Sequence, residues 1–363
     1  MEDYRVQGRV KHKLIDIIVI TVCAVFCGAE NYAEIYNFGK IKEQWLKKIL
    51  KLPNGIPSQD TFERIFRYTE AGEFKNCFLK LVRSIGKLKD GEIIPIDGKA
   101  VRAANDKDEN PIYIVNAWAK EAGIVLALEK VEEKSNEKTA IPKILDMIEV
   151  KNNIITVDAM GCLPNVAEKI SEKEGDYVLS CKGDKHQFYK DIRDYFIYYI
   201  QTDFKELNYD YYETIEKSHG RIETRKYYIT DGIEWLNKKE RYKGIKTIGM
   251  VISRVERDGK VCNEIRYHIS SLEANAKKYA KCVRGHWSIE NNLHWRLDVA
   301  MNEDKSRARK DNAVENLAVI RRVVFNLLNQ DNKIKGGMKT KQKALSWDTD
   351  YALSLLFSDL IPF

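Results

Sequence analysis

The chain has 363 residues, 44% of them hydrophobic and 32% charged, with a net charge of +7. That is room for two ordinary domains or one with a large insertion, and enough apolar side chain to exclude intrinsic disorder. The positive surplus is compatible with a polyanionic partner but does not establish one. No run reaches eighteen uninterrupted apolar residues, so no membrane span is expected, and the greasiest stretch, Leu14 to Ala29, contains Asp16 and lacks an A-x-A cleavage site. The seven cysteines include no C-x-x-C pair, which argues against a zinc ribbon or disulfide framework and for a reducing cytoplasm. Cys23 and Cys27, one helical turn apart, read as small buried hydrophobes.

From Lys13 to about Lys89 apolar residues recur at spacings of three and four, through LIDIIVITVCAVFCGA, FERIFRY and FLKLVRSIG, which predicts helices. The turn cluster KLPNGIPSQDTF lies among them and ends in a helix start, with Ser58 as N-cap and Asp60 in the first turn. Short helices around a tight turn make either a helix-turn-helix DNA reader or a plain bundle. IIPID (Ile93 to Asp97) then predicts a buried strand ending in a carboxylate. YIVNAWAK and GIVLALEKV predict a hairpin turning near Gly123, and SNEKTAIPKILDMIEV a helix capped by Ser135. NIITVD (Asn153 to Asp158) is a second buried strand ending in Asp, followed by a helix over GCLPNVAEKISEKEG and a strand over DYVLSCKG. From Asp184 to Leu272 Tyr-rich and basic alternation reads as an antiparallel β-insertion with a hairpin turn at Asp258-Gly259. Helices return from Ala274, and GGMKTKQK (Gly336 to Lys343) reads as a flexible basic segment.

In open α/β sheets, sites form at the carboxyl ends of strands, so Asp97 and Asp158 point to a metal site. Glu290 is the third candidate. It falls at the edge of an apolar helix stripe of Ile289, Leu293 and Leu297, beside His286, Trp287 and His294. Pairing of Glu290 with His286 or Arg284 in a structural network is the rival account. Three carboxylates suit Mg²⁺, and two such ions about 4 Å apart can drive in-line phosphoryl displacement. No phosphate-loop, H-E-x-x-H or G-x-S-x-G pattern is present.

IDGKAVR (Ile96 to Arg102), SNEKTAIP (Ser135 to Pro142), ITVDAMGC (Ile155 to Cys162), HGRIETR (His219 to Arg225) and HWSIENNLHWRLDV (His286 to Val299), followed by Glu303 and Asp304, carry a resemblance. Together and in this order they resemble bacterial insertion-sequence DDE transposases of the ISAs-type, H-repeat-associated subgroup, from about Lys11 to Leu328. The resemblance implies an α/β fold: an RNase H-like core, a mixed sheet flanked by helices, with a helical N-terminal region and a β-rich insertion before the glutamate helix. The expected parts are 1–90 (helical, DNA-end binding), 91–183 and 273–330 (catalytic core), 184–272 (insertion) and 331–363 (tail). Motif by motif, the catalytic and metal-binding triad falls on Asp97, Asp158 and Glu290, holding two Mg²⁺ ions with Mn²⁺ as a substitute.

Related families flank the glutamate with a Tyr, an Arg and a Lys. Here those positions are Val283, His286 and Leu297, so that phosphate-gripping signature does not transfer. Arg284, His286, Lys305 and Arg307 are the candidate replacements, with Lys182 beside them on the loop after the third core strand. Lys99 and Arg102 either contact the scissile strand or are solvated. His219, Arg221 and Arg225 either grip phosphates or form a cross-strand charge ladder. Trp235 is either a core residue or a base-stacking platform. The expected function is cleavage of element ends and strand transfer on double-stranded DNA, both terminal inverted repeats and target. It is expected in the bacterial cytoplasm at the nucleoid, by a homodimer assembled on DNA, with no membrane partner. A catalytically silent DNA-binding or regulatory relic and a stand-alone metal-dependent endonuclease are the alternatives.

Overall fold

The periodicities resolve into thirteen α-helices and nine strands among the described residues of the computed structural model, which are 3–6, 8, 10–85, 88–104, 112–131, 137–183, 187–218 and 220–357. The expected cap Ser135 and the candidate His219 lie outside them. Backbone contacts divide the chain into two units. One comprises Met1–Leu88, Gly98–Asn136 and Glu290–Phe363; the other comprises Lys89–Asp97 and Glu137–Ile289. The strands follow the order β3-β2-β1-β4-β5-β9-β8-β7-β6, and β1 belongs in part to each unit.

The first unit opens with α1 (Leu14–Phe26), α2 (Tyr32–Ile41), α3 (Glu43–Leu46), α4 (Gln59–Tyr68) and α5 (Ala71–Ile85). Ser58 caps α4 as the sequence predicts, its hydroxyl accepting from the Thr61 amide at 3.3 Å. β1 (Ile93–Val101) runs on past Asp97, so this carboxylate sits within the strand and not at its end. β2 (Ile112–Ala119) and β3 (Ile124–Val131) form the expected antiparallel hairpin.

The second unit continues with α6 (Glu137–Met147), β4 (Ile154–Val157), α7 (Pro164–Glu172), β5 (Asp176–Cys181) and α8 (Gln187–Gln201). β6 (Asp210–Ser218), β7 (Arg221–Thr230), β8 (Thr247–Arg257), β9 (Lys260–Ser270) and α9 (Ala276–His286) complete it. β1, β4 and β5 pair in parallel through apolar residues, and β9 joins β5 antiparallel, so β6 to β9 extend the core sheet. The segment read as purely β therefore begins with a helix. Phe188, Ile192 and Phe196 recur at four-residue spacing, and the last two are fully buried. The Asp258-Gly259 turn is as expected: both residues take positive φ, +51° and +73°, as a two-residue hairpin of this type requires.

The helical region after Ala274 is not one long helix. α9 stops at His286, a π-helical turn covers Glu290–His294, and α10 (Trp295–Met301) resumes. α11 (Ala313–Gln330) packs against α1, α4, α5 and β3 of the first unit and is buried almost all round. Its Asn326 amide holds both the N–H and the C=O of Val125 in β3, at 2.8 and 2.9 Å. The basic segment expected to be flexible is instead helical, in α12 (Met338–Trp347), followed by α13 (Thr349–Phe357). Met338, Gln342 and Leu345 are buried, and the Lys341 ammonium donates to the Leu328 carbonyl at 2.8 Å. Among the described residues no helix is long and apolar enough to cross a membrane.

Candidate active site

In the second unit, four consecutive residues of β1, Ile93 to Ile96, pair with Ile154 to Val157 of β4. Asp97 and Asp158 follow the last pair, both half-buried. Asp158 also sets the geometry behind it: its Oδ1 accepts from the Met160 amide at 3.0 Å and caps a 3₁₀ turn over Ala159–Gly161. The turn closes tightly on the strand, because a Cβ on Gly161 would clash with Val157 Cγ1 and stand 2.6 Å from Ile141 Cδ1.

α9 begins at Asn275, whose side chain accepts from the Lys278 amide at 2.8 Å. It packs against β4, β5, β6 and β7 of its own unit. At its last turn His286 Nδ1 lies 3.0 Å from Thr156 Oγ1, two residues before Asp158. Glu290 follows four residues later as the first residue of the π-helical turn, a kind of irregularity frequent at functional sites.

Within the first unit, Glu290 Oε2 lies 3.1 Å from His294 Nδ1, and this hydrogen bond holds the carboxyl below its ordinary range against the opposing effect of burial. Of the residues weighed as structural partners, Arg284 donates to Glu216 at 2.7 Å and His286 bonds Thr156. The predicted stripe of Ile289, Leu293 and Leu297 is buried, which leaves Glu290 at its edge with its side chain 59% exposed. Carboxylate oxygens of this kind are donors that hard divalent cations prefer.

The cationic candidates divide by access. Lys99 is 6% exposed, and its ammonium meets Asp298 at 2.6 Å, Asp304 at 2.8 Å and Glu303 at 3.7 Å, so it has the poorest access to DNA. Arg102 is largely exposed beside Asp304, at 3.6 Å. Lys182, Arg221, Lys305 and Arg307 are exposed. Arg225 is tied to Glu223 and, at 3.4 Å, to Glu216 on the neighbouring strand, so the charge ladder is present at this position. Trp235 is 38% exposed and stacks on Tyr195 with centroids 4.3 Å apart, which is neither core nor free platform.

The buried cluster around Lys99 escaped the sequence reading. Glu303 is buried against Arg322, Nη2 to Oε2 3.1 Å, and Arg322 Nε donates to Asn116 Oδ1 at 3.0 Å. Glu303 and Arg322 lie on separate elements, and nothing in the local pattern marks them as partners.

Residues 88–327 match a family model described as a transposase DDE domain, and residues 1–82 match a DDE_Tnp_1-associated model. The chain is 41% identical to "Putative transposase YncI" of Escherichia coli O157:H7, over 98% of this chain and 92% of that one. It is 38% identical to "H repeat-associated putative transposase YhhI" of Escherichia coli strain K12, over 98% of this chain and 95% of that one. A shorter protein of the same strain, "Inactive transposase YbfQ", is 44% identical over 17% of this chain and 75% of its own length.

Proposed function

Because this chain belongs to the bacterial DDE transposases of the H-repeat-associated subgroup, we propose that it cuts the ends of its insertion sequence and joins them to target DNA. The observation that carries this reading is that Asp97 and Asp158 both directly follow the last shared pair of two adjacent parallel strands, Ile96 with Val157. Glu290 completes the set in this proposal. In the second unit the His286–Thr156 bond fixes the end of α9 beside β4, and along the chain Glu290 follows His286 by four residues.

Asp97, Asp158 and Glu290 would hold two Mg²⁺ ions, for which Mn²⁺ can substitute. Bound there, the ions would supply an activated water or 3′-hydroxyl and stabilise the leaving oxygen. The chain's own residues do the positioning. Strand pairing sets the two aspartates directly after one shared pair, the turn ending at Gly161 fixes the backbone after Asp158, and the His294 hydrogen bond keeps Glu290 ionised. Arg102, Lys182, Arg221, Lys305 and Arg307 are the accessible cations for double-stranded DNA, both terminal inverted repeats and target. Lys99, His219, Arg225, Arg284 and His286 stay secondary candidates. A homodimer on DNA, in the cytoplasm at the nucleoid, completes the proposal.

The test is a strand-cleavage and strand-transfer assay on terminal-repeat DNA with Mg²⁺. Asp97→Ala, Asp158→Ala and Glu290→Ala should each abolish both reactions while DNA binding survives. Near-wild-type cleavage by Asp97→Ala refutes the triad. A relative that is named inactive favours one rival, the silent regulatory relic, which would bind the DNA and leave it whole. A stand-alone endonuclease would cut and never join.

A further inference from the structure

In the first unit a cavity of about 320 Å³ opens where residues 306–310, the loop before α11, pass α2 and α4. Four cations line it: Arg67 from α4, and Arg307, Arg309 and Lys310 from the loop. Two carboxylates, Glu30 and Glu63, oppose them, so the lining keeps a positive surplus. Glu30 is already engaged by the Asn302 amide at 2.6 Å. Arg67 is braced against Asp311 at 2.8 Å, which fixes its guanidinium at the wall, while Arg307 and Lys310 are exposed.

Two further features favour an anion. Tyr32 is on the same lining, and its hydroxyl is buried with no hydrogen-bond partner among the described residues, a donor left without an acceptor. The first turns of α2 and α4 also border the cavity, through Tyr32 and Gln59, and the positive ends of two ten-residue helices add to the cationic field.

We infer that this cavity seats a backbone phosphate of the DNA, using none of the three acidic residues of the catalytic proposal. The inference rests on the transposase reading, which supplies the polyanion. It assigns the 306–310 loop and α4 a joint grip on one phosphodiester, with Arg307 and Lys310 as the exposed fingers and Arg67 as the braced wall. A phosphate contact of this kind sets position and carries no sequence information.

The experiment is fluorescence anisotropy of a labelled duplex carrying the element's terminal inverted repeat. It is run on the full chain without divalent ions across a salt series. Each phosphate contact contributes roughly 0.9 to the slope of log affinity against log salt. The double variant Arg307→Gln/Lys310→Gln should lower that slope by about one and weaken binding at low salt by about tenfold or more. Glu63→Lys, which removes an opposing carboxylate, should tighten binding and steepen the slope. A charge-matched control, Lys151→Gln/Lys243→Gln, should leave the slope unchanged, and circular dichroism melts check that each variant folds. A wild-type slope in the double variant, or an equal drop in the control, overturns the phosphate seat while leaving the transposase reading standing. A wild-type chain that fails to bind the duplex at any salt overturns both.

Discussion

Ile96 and Val157 are partners at the last paired position of β1 and β4, so Asp97 and Asp158 each follow that pair by one residue. Paired strands lie about 4.8 Å apart, so the two residues start from neighbouring backbones. Replacing either by its amide keeps the shape and removes the charge. Asp97→Asn and Asp158→Asn should each lower Mg²⁺-dependent cleavage of terminal-repeat DNA on the order of 10³-fold, about 4 kcal/mol in the barrier. Melting temperature without metal should stay near that of wild type. Cleavage within threefold of wild type in either variant sinks the assignment.

Gly161 closes the turn behind Asp158, and its missing side chain is the reason the turn fits. A methyl there meets Val157 Cγ1 and Ile141 Cδ1 well inside contact distance. Both neighbours are buried branched side chains, so the backbone must yield. Overpacking of this kind costs about 1–3 kcal/mol. Gly161→Ala should therefore lower the melting temperature and also reduce cleavage, because the displaced turn is the one Asp158 caps. Chemical denaturation gives the first readout and nicking of terminal-repeat DNA the second; a variant with wild-type values in both shows that the close approach is unimportant.

The parts of the molecule governed by local periodicity were legible in the sequence. Ser58 announces its helix because capping is a contact between near neighbours, and Asp258-Gly259 announces its hairpin because only residues tolerant of positive φ fill that turn. The two aspartates showed for the same reason, each closing a short apolar run. What stayed hidden depends on partners remote in sequence. The end of β1 was read at Asp97 because a carboxylate interrupts the apolar run, yet the strand continues through Gly98 to Val101. The ion pairs of Lys99, the Glu303–Arg322 contact and the partner of Glu290 follow from packing, which spacing does not encode. α8 is masked in the sequence because its tyrosines suggest strand, while Ile192 and Phe196 keep helical spacing.

His268 makes the second unit sensitive to mild acid. It is buried on β9, with Nδ1 2.6 Å from the Tyr279 hydroxyl on α9. Burial, with the nearby charges of His286 and Arg266, depresses its pKa to about 3 from an ordinary 6.5. The unfolded chain takes up the proton below 6.5 and the folded chain does not, so this contribution is complete above pH 6.5 and declines as pH falls toward 3. The limiting slope is about 1.4 kcal/mol per pH unit for one site. His268→Asn should lower stability at pH 7 yet lose less of it between pH 7 and pH 5, where depressed carboxylates do not yet titrate. Thermal melts at constant ionic strength measure both, and equal losses in variant and wild type exclude the mechanism.

Lys99 is a buried cation shared by three acids of the first unit. Its ammonium bridges Asp298 and Asp304 and stands 3.7 Å from Glu303, which also faces Arg322. Burial raises the Glu303 carboxyl, but Arg322 and Lys99 outweigh it and bring the pKa to about 2 from an ordinary 4.5. That contribution is complete above pH 4.5 and is lost as pH falls through 2, whereas Asp298, raised by burial, opposes it at neutral pH. Lys99→Met keeps the stem and removes the charge, leaving three carboxylates with one cation fewer. Breaking a buried ion pair from one side costs about 3–5 kcal/mol, so the variant should melt well below wild type at pH 7. Adding Asp304→Asn should restore part of the loss, since one of the stranded charges is then gone. If the single variant melts with wild type, or the second change deepens the loss, the cluster does not hold this unit together through Lys99.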